Sequence, residues 1–399
     1  MIKVKYCAFL FVVLCISFSC SKTENRKGVE SFSSASFNYL DGDFTGLDVL
    51  LNNDGSLIIA GSIIEDGNIL ATVCVFEVNN EGEIAWLSFL PYDSRYVTSD
   101  MNLLLTRENE YLLVLNSKAP SDGEEYGIDI VRIDQLGNIL STHRIYEETK
   151  SLAGTSIIQL EDEDFIVFSE DQQGTSSDNQ LNLSKVSKSG DLIWSKLVEN
   201  SIANLSRQLI YLEEDESIFG LSEHNVGLRR AKVQLHKFDL DGNLLWEQAL
   251  AELSTVWIAS TYVQQVNGDQ LMASFTKNKN VTLMQIDKAG NIEWERNYEG
   301  DGSDISRGLI QTIDGNYVLL TNTTSYGNGG FDIMLTKVDE NGDVIWDKTY
   351  GSSLSDHSVK MIERPNGDIV VIGSSNGETQ SNSEHKLFIL ETDMEGNPK

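Results

Sequence analysis

Short apolar runs alternate with turn-forming polar residues along almost the whole chain. In the clearest unit, residues 308–350, four apolar runs follow one another, separated by an Asp-Gly turn, a longer polar segment and an Asn-Gly turn. Such dipeptides between apolar runs favour β-hairpins, because these turns need positive φ angles. Period-2 alternation is visible over residues 334–339, and helical periodicity is absent beyond the N-terminal segment. The pattern therefore predicts an all-β protein.

A phrase with a central glycine recurs at the last turn of each unit and usually leads into a tryptophan. The full copies end at Trp86, Trp194, Trp246, Trp294 and Trp346, and degenerate copies occupy residues 133–141 and 391–399. Neighbouring phrase glycines are 48 to 55 residues apart, and periods of about 40 to 50 residues with several short strands are typical of β-propeller blades. Seven copies predict a seven-bladed β-propeller in which each tryptophan packs against the neighbouring blade.

The two ends of the array carry complementary pieces of one sheet. The last unit reaches Lys399 where its outermost strand is due, and an additional strand-like run, residues 32–39, precedes the first unit. We expect this N-terminal strand to close the last blade, because closure leaves few exposed sheet edges. The alternative is that residues 32–39 are a disordered tether.

The N-terminal segment has the pattern of a lipoprotein signal peptide. Two lysines precede an apolar stretch that is too short for a transmembrane helix, and a serine followed by Cys20 leads into polar residues. The sequence predicts a signal peptide over residues 1–19, a lipid on Cys20, a flexible tether over residues 20–30 and the propeller over residues 31–399. The alternative is ordinary secretion with cleavage at another position.

The cysteine content argues against a disulfide. Cys74 is the one cysteine left after removal of the signal peptide and lipidation of Cys20, so we predict a buried thiol and no disulfide within the chain.

The net charge limits the class of partner. The 61 acidic and 30 basic residues give a formal net charge of −31. Such a field repels nucleic acid and disfavours polyanionic glycans, so we expect no nucleic-acid partner. The same charge also keeps an exported protein soluble.

Strand order places two kinds of connection on opposite faces of the ring. The tight turns between the first and second and between the third and fourth strands lie on one face, the hairpin face. The longer second-to-third loops and the connectors between blades lie on the other, the long-loop face, where binding residues usually collect. Its candidate ligand-binding residues are Arg95, Tyr96, Tyr126, Arg207, His224, Arg229, Arg230, Trp257, Arg307 and His357, with Tyr326 beside them.

Arginines and aromatic rings in this set suit a sugar or a peptide carboxylate as ligand. Arg207 and Arg307 hold equivalent positions near the start of two inner strands, so we expect both to face the central channel. Two alternatives stay open. The arginines pair with acids such as Asp304 or Asp356, or the loop histidines are scattered surface residues.

Signals for catalysis and metal binding are weak. The sequence holds no HExxH, GxSxG or phosphate-loop motif. Residues 239–243 resemble a calcium loop, but their glycine comes too early for an EF-hand, and Asp48 with Asp41 and Asp43 is a second weak calcium candidate. We predict no metal and no cofactor, and we assign no catalytic residue.

The phrase Asp-x-x-Gly-x-x-x-Trp, as in residues 339–346, resembles the blade motif of quinoprotein-like (PQQ-like) β-propellers. The likeness covers residues 31–399 and implies the fold. Enzymes of that family carry adjacent cysteines near the cofactor, whereas only Cys74 remains here, so the resemblance implies no cofactor. The chain is also similar to propeller lipoproteins of Gram-negative envelopes, which implies a location at the outer membrane, on its periplasmic or its surface side.

Two functions are compatible with these features. The first is a non-catalytic, monomeric binding or scaffold module, anchored in the membrane by the lipid on Cys20, that presents its long-loop face to a protein or glycan partner. The alternative is a polysaccharide-degrading enzyme, a lyase or glycoside hydrolase, with its active site on the same face. Convergence of His224, Arg229, Tyr96 and Arg307 in one pocket would favour the enzyme, and a flat acidic face would favour the binding module.

Overall fold

The structure is a computed structural model that describes residues 29–30, 43–64, 72–93, 97–118, 126–145, 152–171, 179–202, 204–225, 231–253, 262–266, 270–376 and 385–399. These residues form 28 β-strands and one 3-10 turn, Glu213–Asp215, which confirms the predicted all-β protein. Within the described ranges, no helix has the length and apolar character needed to cross a membrane.

Strands β2 to β28 form seven antiparallel sheets in chain order, each with its first strand innermost. Blades 1 to 3 contain β2 (Asp43–Leu51), β3 (Leu57–Ile64), β4 (Thr72–Val78) and β5 (Ile84–Asp93); β6 (Val97–Leu105), β7 (Tyr111–Lys118), β8 (Tyr126–Ile133) and β9 (Ile139–Ile145); and β10 (Leu152–Gln159), β11 (Phe165–Asp171), β12 (Gln180–Val186) and β13 (Leu192–Ile202). Blades 4 to 6 contain β14 (Asn204–Leu212), β15 (Ser217–Asn225), β16 (Ala231–Asp239) and β17 (Leu244–Leu253); β18 (Tyr262–Val266), β19 (Gln270–Lys277), β20 (Asn280–Asp287) and β21 (Ile292–Tyr298); and β22 (Asp304–Gln311), β23 (Tyr317–Thr323), β24 (Asp332–Val338) and β25 (Val344–Tyr350). Blade 7 contains β26 (Asp356–Glu363), β27 (Ile369–Asn376) and β28 (His385–Thr392).

The innermost strands contact one another in sequence, from β2 through β6, β10, β14, β18 and β22 to β26, and β26 contacts β2. The sheets therefore close into a ring, and the predicted seven-bladed β-propeller is confirmed. Apolar side chains fill the space between neighbouring sheets, as where Leu235 of blade 4 clusters with Met284 of blade 5. Cys74 is buried in another of these layers, and burial raises the pKa of its thiol to about 12.

The first and the last described segments of the chain contact two different blades. β1 (Val29–Glu30) pairs in parallel with β25, the outer strand of blade 6. It belongs to the segment predicted as a flexible tether, so the end of that segment is part of a sheet. Residues 32–39 lie outside the described residues, and closure of the last blade by this run stays a prediction. At the C-terminus, Pro398 forms a β-bridge with Thr392 at the end of β28.

The repeat phrase forms the turn between the third and fourth strands of each blade. In every copy, the residue three positions before the glycine accepts, through its side chain, a hydrogen bond from the backbone N–H four residues after itself. The acceptors are Asn79, Asp134, Ser187, Asp239, Asp287, Asp339 and Asp393, at 2.7 to 3.1 Å. Hydrogen bonds from Asn291 lower the pKa of Asp287. The acids in residues 239–243 thus cap a turn, which accounts for their likeness to a calcium loop.

The glycines of the six phrases after the first lie against the outer strand of the preceding blade. Their φ angles are positive, +78° at Gly242, and a Cβ there would press into an aromatic ring. The ring and glycine pairs are Trp86 with Gly137, Trp194 with Gly242, Trp246 with Gly290, Trp294 with Gly342 and Trp346 with Gly396. In the degenerate copy, Ser141 replaces the tryptophan, and His143 covers Gly190 instead. The predicted packing of the tryptophans between blades is confirmed.

The inner strands share an irregularity near their long-loop end. Their pairing with the second strand skips one residue in five blades. The skipped residues are Leu47, Thr155, Arg207, Arg307 and Val359. Beside three of these bulges, a side chain of the preceding blade accepts a hydrogen bond from the inner strand. Asn322 accepts from the Ser358 N–H and Thr276 from the Ser306 N–H, each at 2.9 Å, and Glu170 accepts from the Ser206 N–H at 3.2 Å. These bonds join neighbouring blades at the rim of the channel.

Candidate functional site

The long-loop face carries the second-to-third loops and the connectors between blades, as predicted from strand order. Among the described residues, it includes residues 299–303, 324–331 and 351–355. Seven of the residues singled out from the sequence lie outside the described residues: Arg95, Tyr96, Arg229, Arg230, Trp257, the lipidation candidate Cys20 and Asp41 of the second calcium candidate. Tyr126 is the first residue of β8 and pairs with Lys118 of β7.

Arg207 is bound to an acid of its own blade. Its Nε lies 3.1 Å from Glu223 Oε1, and its Nη2 lies 3.1 Å from Glu223 Oε2. Burial raises the pKa of Glu223, and the Arg207 guanidinium counteracts that rise. The alternative to ligand binding was that this arginine pairs with an acid of the protein. Arg207 does so, but the acid is Glu223 and not Asp304 or Asp356. His224 is the next residue of β15, and partial burial lowers its pKa.

Arg307 and His357 lie on the inner strands of blades 6 and 7. Arg307 occupies the bulge of β22 that matches the bulge of Arg207 in β14, which confirms the predicted equivalence. The ring of His357 lies 5.1 Å from that of Phe331. Blade 5 separates this pair from Arg207 and His224. The structure thus places these four candidates in two groups on different sides of blade 5, and Tyr126 lies apart from both groups on blade 2.

Blade 4 contains a serine, histidine and glutamate whose spacing resembles a hydrolase triad. Ser222 Oγ lies 2.8 Å from His236 Nε2, and His236 Nδ1 lies 3.7 Å from Glu247 Oε2. Ser222 and His236 are both fully buried between sheets, at 0% exposure, so a substrate does not reach the hydroxyl. Burial lowers the pKa of His236 to about 4, and the nearby His224 adds to this effect. The group is a buried hydrogen-bonded pair of the core.

Asp48, the calcium candidate of the first blade, is held by protein groups. Its two carboxylate oxygens accept hydrogen bonds from the N–H groups of Val49 at 2.8 Å and Leu103 at 2.7 Å. Lys360 of β26 adds an ion pair. Asp48 therefore joins the inner strands of blades 7, 1 and 2. In the part of the chain that the structure describes, no cluster of three or more His, Cys, Asp or Glu side chains is arranged to hold a metal ion.

A cavity of about 200 Å³ lies between blades 5 and 6. Its polar lining residues are two tyrosines, three acids and two threonines, whereas Val281, Leu319, Met334 and Val344 line its apolar part. The polar residues are Tyr298, Glu299, Asp304, Tyr326, Asp347, Thr321 and Thr336. Glu299 and Tyr326 belong to the connector and the loop of the long-loop face, so the cavity reaches that face.

Hydrogen bonds fix the polar side of this cavity. The Tyr298 hydroxyl donates to the Gly342 carbonyl at 2.9 Å, and the Tyr326 hydroxyl donates to the Glu299 carbonyl at 3.0 Å. Burial raises the pKa of Tyr298, so its hydroxyl stays protonated. Of these groups, the sequence had pointed to Tyr326 as a ligand contact. Tyr298 and Asp347 lie on outer strands. The sequence pattern predicts that they belong to a strand, but it does not predict that they line a cavity.

Comparisons with known proteins define the fold. No family model matches the chain, and no curated protein matches it. The chain is similar to the Dos1 propeller, with a TM-score of 0.55 and 13% identity over 88% of this chain and 93% of that one. It is similar to a puromycin hydrolase, with a TM-score of 0.57 and 10% identity over 89% and 54% of the two chains. The acylaminoacyl peptidase of Pyrococcus horikoshii gives a TM-score of 0.50 and 10% identity over 89% and 51%.

The chain spans about half the length of the hydrolase and the peptidase, as the coverage of 54% and 51% shows. At these identities, the likeness establishes the β-propeller and carries no information about activity.

Proposed function

We propose that the protein is a non-catalytic binding module that holds a glycan or protein partner at its long-loop face. The cavity between blades 5 and 6 is the observation that carries this proposal. Tyrosine rings offer flat apolar surfaces with polar ends, and carboxylates accept hydrogen bonds from sugar hydroxyls or from a cationic side chain. A volume of about 200 Å³ suits one sugar unit or one amino-acid side chain as an anchor.

The negative charge of the cavity and of the whole chain limits which ligands can bind. The cavity holds Glu299, Asp304 and Asp347 together with two tyrosines, and the whole chain has a formal charge of −31. Neutral or cationic ligands are therefore favoured over polyanionic ones. We further propose that a lipid on Cys20 anchors the protein at the outer membrane of a Gram-negative envelope, with the propeller acting as a monomer. The signal-like N-terminal segment supports this part of the proposal.

A glycan and peptide binding screen on the purified protein tests the proposal, followed by variants on both faces. We expect Tyr326→Ala, in the cavity, to weaken binding at least tenfold, because it removes a ring that contacts the ligand. Arg229→Ala and Trp257→Ala test the residues that the sequence assigns to the same face. Lys188→Ala, an exposed residue in a turn of the hairpin face, is the matched control and should bind as the wild type does.

Equal affinity of the Tyr326→Ala variant and the wild type for every ligand found would reject the cavity as the anchor. Appearance of new chain ends in a polysaccharide ligand, lost in the same variants, would instead establish the alternative, a lyase or glycoside hydrolase.

A further inference from the structure

Two buried aspartates at the junction of blades 6 and 7 each have one carboxylate oxygen with no hydrogen-bond donor in the part of the chain that the structure describes. Asp332 begins β24 and Asp356 begins β26, and they are 1% and 0% exposed. Asp332 Oδ2 accepts hydrogen bonds from the N–H groups of Asn328 at 2.9 Å and Gly329 at 3.3 Å. Asp356 Oδ2 accepts one from the Ser352 N–H at 2.6 Å. Among the described residues, none forms a hydrogen bond with the Oδ1 atom of either aspartate.

The two carboxylates converge on one short segment of backbone. A Cβ added to Gly351 would overlap Asp332 Oδ1, so this oxygen lies directly against Gly351, the neighbour of the Ser352 that binds Asp356. Burial raises the pKa of Asp332 to about 6, and the charge of Asp356 adds to the rise. Buried anionic oxygens without donors are rare in proteins, because their loss of water is not compensated.

The preceding junction provides an internal comparison. Asp304 takes the place of Asp356 between blades 5 and 6, and the backbone N–H of each donates to the preceding blade at 2.7 Å. Both oxygens of Asp304 are occupied, by the hydroxyls of Thr323 at 2.5 Å and Ser325 at 2.7 Å. The unfilled acceptors are therefore a feature of the junction of blades 6 and 7 and do not follow from the repeat itself.

We propose that Asp332 and Asp356 bind a Ca²⁺ ion at this junction. Calcium takes oxygen ligands from carboxylates, backbone carbonyls and water in flexible geometries, and two buried carboxylates supply the charge that it requires. The covering loops, residues 324–331 and 351–355, are rich in glycine and serine, and Asn328, Gly329 and Gly330 are exposed, which gives the ion access. With only two carboxylates, we expect a Kd of about 10⁻⁴ to 10⁻³ M, the range of extracellular modules.

Thermal unfolding of the purified protein tests the site. Midpoints are compared in EDTA, in about 10 mM CaCl₂ and in MgCl₂ or NaCl of equal ionic strength. We expect Ca²⁺ to raise the wild-type midpoint by roughly 2 °C beyond the effect of NaCl. Mg²⁺ should act more weakly, since it gives up its water reluctantly. Asp332→Asn and Asp356→Asn should abolish the calcium-specific rise, whereas Asp304→Asn, the matched control, should retain it.

A readout in EDTA separates loss of the ion from loss of the fold. Asp332→Asn should then be at least as stable as the wild type, because its amide removes one buried charge and can donate to Asp356. A calcium-specific rise of equal size in Asp332→Asn and Asp356→Asn would overturn the proposal and assign the effect to the acidic surface. The proposal would also be overturned if the unfolding midpoint of the wild type did not respond to calcium but changed with pH near 6. That result would show that the two carboxyls share a proton.

Discussion

A phrase glycine meets two demands at the same position, a positive φ and contact with an aromatic ring. Gly242 has φ +78° and lies beneath Trp194 of the preceding blade. Gly315, in a first-to-second-strand turn, has φ +84° and nothing within 4 Å of the position where a Cβ would lie. At Gly315, glycine is required only for its positive φ. At Gly242, it is also required because the Trp194 ring occupies the position that a Cβ would take.

This contrast predicts different costs for the same substitution. Gly315→Ala should lower the free energy of unfolding by about 1 kcal/mol, because alanine disfavours positive φ. Gly242→Ala should lower it by a further 1 to 3 kcal/mol or so, because the methyl group displaces the Trp194 ring. Urea unfolding of the two variants measures the difference. In a Trp194→Ala background, Gly242→Ala should cost no more than Gly315→Ala. A persistent difference there would show that the ring is not the cause.

His236 predicts a pH dependence of stability. Its folded pKa is depressed to about 4 by burial, below an ordinary value of about 6.5. The unfolded chain therefore binds a proton that the folded chain does not, so His236 contributes fully above pH 6.5 or so and its contribution falls as pH approaches 4. The loss should reach about 3 kcal/mol for this one group.

His236→Gln measures this contribution, because glutamine keeps a polar partner for Ser222 without titrating. The wild type should lose more stability than the variant between pH 7 and about 4.5. The carboxylates titrate in both proteins, so their effect cancels in this comparison. If the stability of both proteins fell equally with pH over this range, His236 would not be the neutral buried histidine that we infer.

The inner strands show how contacts between elements limit prediction from sequence. Arg207 and Arg307 lie at the same distance before the glycine of their repeat phrase, so their equivalent positions were predictable, whereas the bulge that each occupies was not. The partner of Arg207 was not, because Glu223 becomes its neighbour only through the register of β14 against β15. The buried contact of Ser222 with His236 depends in the same way on the register of β15 against β16, in which Gly220 lies opposite His236.

Hydrogen bonds between an inner strand and the second strand of the preceding blade predict which blade junctions are more stable. Asn322 Oδ1 accepts from the N–H of Ser358 at 2.9 Å and from its hydroxyl at 2.5 Å, and the amide donates back to the Ser358 carbonyl at 3.3 Å. Thr276 makes one such bond, to Ser306 at 2.9 Å. Asn322→Ala should therefore cost about 2 to 3 kcal/mol, and Thr276→Val about 1 kcal/mol. Denaturant unfolding tests the order, and a larger cost for Thr276→Val would contradict it.

At the scale of the molecule, the repeat was sufficient to predict the ring, the blade number and the two faces. A ring needs only a period, turn residues at fixed offsets and an apolar side chain at each blade contact, and all three are visible in one sequence. The cavity between blades 5 and 6 was not predictable. It depends on how Tyr298 and Asp347 of two outer strands meet Tyr326 of a loop, and this geometry has no period.

The proposed attachment of the protein to a membrane is tested through Cys20. Cys20→Ser should remove the lipid and move the protein from the membrane fraction to the soluble fraction, because a diacylated cysteine holds a protein far more firmly than an unmodified terminus does. Fractionation and labelling with a radioactive fatty acid measure both effects. Cys74→Ala is the matched control: its thiol is buried in blade 1, with its pKa raised to about 12, so the variant should keep both label and membrane attachment. Label retained after Cys20→Ser would refute lipidation at this residue, and a soluble, unlabelled wild type would refute the lipid anchor altogether.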